Sequence, residues 1–226
     1  MSCLSLKIIM ITKEELDHKH QSVPVDYYQR GVKTNIFQKY WHGSCIKHIS
    51  RVVKNLNLNG KILDLGCHSG DRTNVINKAT DCQVYGIDIS PQAIDYAKSR
   101  FSKITFIYND FPRNSPFSDS YFQAVTAFDV LEHVPDLPDV LAEIKRLLNK
   151  DGYLVVGIPS ENFLFKLAWF FWTRLRGKVW DDIHVHDFKK EGFKLFEDQG
   201  FSIVGEKNII FNMWKIIVFR VKKINL

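Results

Sequence analysis

"KILDLGCHSGDRT", residues 61–73, decides how the rest of the chain is read. It starts as an apolar run and breaks at Gly66 and Gly70 into a turn that leads, from about Asp71, into a helix. Two glycines at such a corner let backbone amides approach a ligand with no Cβ in the way. The same corner also serves as a plain tight turn, so its surroundings have to decide between the two.

After this corner come the strand "QVYGID" (83–88), the helix "PQAIDYAKSRF" (91–101), the strands "ITFIYN" (104–109) and "FQAVTAF" (122–128), the helix "LPDVLAEIKRLL" (137–148) and the strand "YLVVGIP" (153–159). Strands rich in Val and Ile alternating with helices predict βαβ units, and so an α/β fold whose mainly parallel sheet is covered on both faces. The alternation then breaks, and the helix "KKEGFKLFEDQG" (189–200) resumes it. The last two strands, "FSIVGEKNIIF" (201–211) and "WKIIVFRV" (214–221), are joined closely enough to pair as an antiparallel hairpin at the sheet edge. Ahead of the first strand, Ile36, Tyr40, Ile49, Val53 and Leu56 recur at roughly helical spacing and predict an amphipathic helix against the sheet.

At 226 residues, 45% apolar and 25% charged, the chain is expected to form one globular domain with embellishments. Its expected divisions are an N-terminal extension over 1–33, a domain over 34–226, and a lid insertion over 160–187. The formal net charge of +6 comes from scattered Lys and Arg, which disfavours a nucleic-acid tract. Cys3, Cys45, Cys67 and Cys82 have no C-x-x-C spacing, so they suggest neither a zinc site nor a disulfide framework and read as reduced cytoplasmic thiols. "MSCLSLKIIM" has no basic leader and no small-residue cleavage site, and fails as a signal peptide. "TKEE" (12–15) has capping-box spacing and marks the expected start of ordered structure.

In an open parallel sheet, ligands bind outside the carboxyl ends of the strands. The first strand ends at Asp64, Gly66 and Gly70, and the second at Asp88, a carboxylate suited to both hydroxyls of a ribose. Asp88 reads equally well as the N-cap of the helix that follows it. The third strand runs into "NDF", placing Asp110 for an exocyclic adenine amine and Phe111 against a ring, with turn formation as the alternative. A dinucleotide site calls for G-x-G-x-x-G around a pyrophosphate. Here His68 stands at the central glycine position and Asp64 would repel a pyrophosphate, so both disfavour NAD. They suit a cofactor with one ribose, no phosphate and a cationic amino-acid tail.

The motifs "ILDLGCHSG", "VYGIDIS", "NDF", "FDVLEHV", "LLNKDGYLVVGIP" and "HVHDF", in that order over about residues 30–221, resemble class I S-adenosylmethionine-dependent methyltransferases of the small-molecule type, similar to quinone-type O-methyltransferases. The resemblance implies a Rossmann-like seven-stranded mixed sheet of order 3-2-1-4-5-7-6. It also implies S-adenosyl-L-methionine as cofactor. Asp64, Gly66 and Gly70 would then hold the methionine part, Asp88 the ribose, and Asp110 with Phe111 the adenine, with Cys67, His68, Ile89 and Phe128 also among the cofactor-binding residues. His68 departs from the family's usual middle glycine.

Methyl transfer from a sulfonium disperses charge, so positioning does most of the work. A hydroxyl acceptor also needs a base, which a histidine near neutrality provides. "FDVLEHV" brings Asp129, Glu132 and His133 to the end of the fourth strand, with His133 as general base, metal ligand or loop-orienting residue. "DDIHVHDF" adds Asp181, Asp182, His184 and His186; the resemblance points to a lid hinge with His186 near the site, and no metal is expected. The insertion contains "LAWFFW", too short to cross a bilayer, where roughly 20 apolar residues are needed. It reads as a lid over a greasy acceptor, as an interfacial helix through residues 163–176, or as extra core. The expected partner is therefore a small-molecule or lipid-linked acceptor, with no nucleic acid, in a cytoplasmic protein that the interfacial reading places at a membrane surface. A non-catalytic cofactor-binding module and a dinucleotide oxidoreductase are the rival functions.

Overall fold

The computed structural model describes residues 13–160, 185, 186, 188 and 192–222. Most of the expected insertion, including Asp181, Asp182 and His184, lies outside the described residues, as do "MSCLSLKIIM" and Thr12 of the expected capping box.

Three helices come first: α1 (Lys13–Gln21), α2 (Tyr27–Thr34) and α3 (Ile36–Asn55). Strands and helices then alternate through β1 (Lys61–Leu65), α4 (Asp71–Ala79), β2 (Gln83–Asp88), α5 (Pro91–Arg100), β3 (Thr105–Tyr108), β4 (Phe122–Phe128), α6 (Leu137–Leu147) and β5 (Leu148–Pro159). The described part closes with α7 (Lys194–Asp198), β6 (Phe201–Ile209) and β7 (Trp214–Val221). The seven strands form one sheet in the order β3-β2-β1-β4-β5-β7-β6. Pairs among β1 to β5 are parallel, whereas β7 runs antiparallel to both β5 and β6. This is the expected α/β fold and strand order.

Alternate side chains of each strand feed two cores, one on each face of the sheet, as the two-residue period of a strand requires. Leu63 and Leu65 of β1, Val125 of β4 and Leu154 and Val156 of β5 join Leu137, Val140, Leu141, Ile144 and Leu147 of α6 on one face. Those α6 residues recur at i, i+3, i+4, i+7, the stripe of a helix lying on a sheet. Ile62, Ala124 and Val155 face the other way, toward Cys45, Ile49 and Val53 of α3, Ile76 of α4 and Ile94 of α5.

Helix starts follow local chemistry. Ser90 caps α5 through its hydroxyl, which accepts from Ala93 N–H, and Pro91 occupies the first turn. Asn35 does the same for α3, its side chain accepting from Phe37 and Gln38 N–H. Two elements differ from expectation. β5 starts at Leu148, well before Tyr153, because Leu148 already pairs with Phe122 across a register shift next to Ala124. The helix expected over 189–200 is described only as the short α7, followed by Gln199 and by Gly200, whose φ is +89°.

Candidate active site

A cavity of about 500 Å³ opens at the carboxyl ends of β1, β2 and β4, under a roof made by α1, α2 and α3. Its floor begins with the turn after β1. Gly66 has φ +68°, and a Cβ there would meet Val130 Cγ2 at 2.4 Å, so neither backbone nor packing admits a side chain. His68 holds φ +44°, a left-handed conformation that costs a residue with a Cβ about 1 kcal/mol. A hydrogen bond from its backbone N–H to Asp88 Oδ2, 2.8 Å, offsets that strain. Gly70 (φ +79°) starts α4 and packs against Phe106.

The two strand-end carboxylates have different surroundings. Asp64 is 2% exposed, and both of its oxygens are taken: Thr73 Oγ1 donates at 2.7 Å and Thr126 Oγ1 at 2.6 Å. Burial pushes its carboxyl up to about 6, against the pull of those two hydroxyls. Asp88 lines the cavity while accepting from the N–H groups of Ser90 and His68, both at 2.8 Å. Burial again raises its carboxyl above the ordinary range, opposed by these amides.

The roof meets the floor at several points. Gln29 of α2 donates to Ser69 Oγ at 3.2 Å and to Asp71, which Arg100 of α5 grips with two hydrogen bonds. Tyr28 packs edge-on against both His42 of α3 and His68. Burial lowers His42 to about 4, with Arg72 adding to the effect, so the ring is neutral near pH 7. Burial also lowers His68, opposed by the Asp88 carboxylate and a polar contact with the Val23 backbone. His20 of α1 packs its ring 5.1 Å from that of His133, nearly perpendicular to it. Beyond β4, Arg72 donates to the Phe128 carbonyl and pairs with Asp129, whose other oxygen accepts from Trp214 Nε1 at 2.6 Å. This ties α4 and β7 to the end of β4.

Although the chain carries net charge +6, the cavity lining holds Asp17, Asp71, Asp88, Asp110 and Asp129 against only Lys33 and Arg72. An electronegative cavity attracts a cation and repels a pyrophosphate. Several lining atoms also await a partner. Gln29 Oε1 and Asn109 Oδ1 are buried with no hydrogen-bond partner among the described residues, and neither ring nitrogen of His68 makes a well-formed bond. These buried atoms have hydrogen-bonding capacity available to a group in the cavity.

A family model described as a methyltransferase domain matches residues 37–205. The chain belongs to this methyltransferase family. Relatives of the chain include the sterol 24-C-methyltransferase of Candida albicans, 29% identical over 152 residues, covering 61% of this chain and 40% of the relative. The O-methyltransferase cnsE of Penicillium expansum is 29% identical over 171 residues, covering 64% of this chain and 62% of the relative. The chain thus spans less than two thirds of the length of either. Among solved structures, magnesium protoporphyrin IX methyltransferase from Synechocystis, with bound SAH, superposes with a TM-score of 0.68 at 19% identity, over 93% of this chain and all of that one.

The cofactor of the family is S-adenosyl-L-methionine, and the residues present fit it. The aspartates suit its sulfonium and ammonium charges, Asp88 offers a carboxylate for a ribose, and Asn109 Oδ1 offers an acceptor beside Asp110 and Phe111. Of the expected site residues, the cavity brings together Gly66, Cys67, His68, Asp88, Ile89, Asp110, Phe111, Phe128 and His133. Asp64 and Gly70 do not line it. Asp64 serves instead as a buried staple of β1 to α4 and β4, and Gly70 as the start of α4. His186 is also outside the lining, its Nε2–H bonded to the Val134 carbonyl at 2.9 Å and its ring stacked on Phe188. Its backbone N–H and that of Val185 bond to the Glu132 carbonyl, so this segment braces the loop that carries His133. Sequence reasoning missed His20, Gln29, Arg72 and Asn109; only Asn109, next to Asp110 at a strand end, carried a signal.

Proposed function

We propose that this protein transfers the methyl group of S-adenosyl-L-methionine to the oxygen of a small or lipid-linked acceptor, with His133 as the group that takes the acceptor's proton. The observation that carries the reading is the cavity's charge and its chemistry taken together. Five aspartates line a space that also holds unpartnered hydrogen-bond acceptors and, at the β4 end, a histidine.

When bound, the cofactor supplies a methyl group activated by a sulfonium. The chain's own residues do the rest. Asp88 takes ribose hydroxyls, and Asn109 with Asp110 and Phe111 holds the adenine. The Gly66–His68 turn faces the methionine part. Because displacement at a methyl needs alignment more than charge stabilisation, the stapled floor under the turn contributes by keeping these groups still. Val130, Val134, Pro135 and Val140 form an apolar wall beside His133, which excludes water and suits a greasy acceptor. An imidazole at this wall accepts a proton from a hydroxyl as the new bond forms. The O-methyltransferase relative supports oxygen, whereas the sterol relative acts at carbon; His133 beside the cavity favours the former.

Turnover with labelled cofactor against a panel of phenols, hydroquinones, hydroxylated lipids and sterols tests this directly. The expected product carries a new O-methyl ether, identified by mass spectrometry and NMR. A C-methylated product would overturn the oxygen assignment, and cofactor binding with no product from any acceptor would favour a non-catalytic module.

A further inference from the structure

The start of α3 presents large apolar side chains to solvent. Ile36 is 78% exposed, Phe37 75% and Tyr40 60%. Isolated exposed apolar residues are ordinary, but three within five positions form a patch. They are also held in place. Asn35 caps the helix by accepting from Phe37 and Gln38 N–H, at 2.8 and 3.2 Å, and its own N–H bonds to the Gly31 carbonyl at the end of α2. The elbow between α2 and α3 is therefore fixed, and Ile36 and Phe37 project from its outer side.

Charge within these two helices is of one sign, although Asp26, just before α2, pairs with Arg30 at 2.6 Å. From Tyr27 to Asn55, the whole of α2 and α3, the sequence contains Arg30, Lys33, Lys39, Lys47, Arg51 and Lys54 and no Asp or Glu. Lys33, Lys39 and Lys47 are exposed and flank the apolar residues. One of these residues reaches the cavity: Lys33, three positions before Ile36, belongs to its lining. The patch thus adjoins the cavity's mouth. Exposed apolar groups within a basic field match an anionic lipid surface, in which the apolar side chains enter the headgroup boundary while the lysines meet the charge.

We propose that the elbow of α2 and α3 is a docking surface for an anionic lipid bilayer, seated through Ile36, Phe37 and Tyr40, so that the cavity opens toward the membrane. The docking itself rests on this surface alone. Its consequence, that the acceptor is drawn from the lipid phase, rests on the methyl-transfer reading above.

The test is co-sedimentation of the full chain with vesicles of phosphatidylcholine alone and of phosphatidylcholine mixed with phosphatidylglycerol. Binding is expected to the mixed vesicles and much less to the neutral ones, and to fall as salt rises. The double variant Ile36→Ser, Phe37→Ser and, separately, Lys39→Glu, Lys47→Glu should each weaken it roughly tenfold or more. S-adenosylhomocysteine affinity, measured by calorimetry on the same preparations, should stay within about twofold of the unaltered protein, since none of the four residues lines the cavity. Absence of binding to the mixed vesicles, or equal binding by both variants, overturns the proposal. So does sedimentation velocity showing a dimer that the Ile36→Ser, Phe37→Ser variant dissolves, because a second copy would then occupy the patch. Loss of S-adenosylhomocysteine binding in the unaltered protein would instead strike at the methyl-transfer reading and leave the docking result standing.

Discussion

Asp64 under the floor of the cavity and His42 in its roof are both titratable groups in unfavourable surroundings, and burial moves them in opposite directions, the carboxyl up to about 6 and the imidazole down to about 4. Both shifts favour the neutral form. The floor achieves this with a carboxyl fully enclosed between three elements and bonded to two threonine hydroxyls. The roof does it with a ring in edge contact with Tyr28 and near the Arg72 cation. Floor and roof therefore differ in how firmly they are built. In the floor the strand-end carboxylates Asp64 and Asp88 are held by hydrogen bonds, whereas α1 and α2 of the roof reach the floor through long side chains such as Gln21 and Gln29. The proposed function assigns the cofactor to the floor and the entry of cofactor and acceptor to the roof.

The largest effect expected from this division concerns the groups at the junction. His133→Ala should lower turnover roughly 100-fold, the scale of losing a general base, while S-adenosylhomocysteine affinity stays nearly unchanged. His20→Ala, which removes only the roof's ring facing it, should lower turnover less. Steady-state rates with a competent acceptor check both, and an unchanged rate in His133→Ala would remove that residue from the mechanism.

A smaller effect separates floor from roof by pH. Asp64 has a folded-state pKa above its unfolded value of 3.8, so the stability it contributes is fully present below about pH 3.8 and is lost as pH rises through about 6. His42 has a folded-state value below 6.5, so its contribution is present above pH 6.5 and is lost as pH falls through about 4. Between pH 4 and 6 the two slopes oppose each other. Asp64→Asn should make stability rise more steeply with pH across that window, and His42→Gln should make it rise less. Urea unfolding at several pH values measures both; parallel profiles for the two variants would contradict the assigned burial.

Much of the floor was legible in the sequence because its signals are local. Apolar runs of strand length, glycines at a turn and acids at strand ends lie within a few residues of one another, whereas the strand order was implied by the family resemblance alone. The position of Asp64 was not legible in the same way. Its partners stand 9 and 62 residues away, and only the folded sheet brings Thr126 beside it. The roof was least legible. His20 and Gln29 sit on helices whose own patterns show nothing of what they face. The exposed Ile36 and Tyr40 were expected to pack on the sheet because helical spacing reveals a stripe without saying which side is covered. The early start of β5 likewise depends on pairing with Phe122, a tertiary contact with no local mark.

The central claim is that the floor of this cavity binds an adenosyl sulfonium cofactor through Asp88. Calorimetric titration with S-adenosylhomocysteine, on the unaltered chain and on Asp88→Ala, tests it most directly. The account predicts binding to one site per chain and a loss of about 1.5 to 3 kcal/mol on removing the carboxylate. No heat from the unaltered chain, or equal affinity in a folded Asp88→Ala protein, would contradict it.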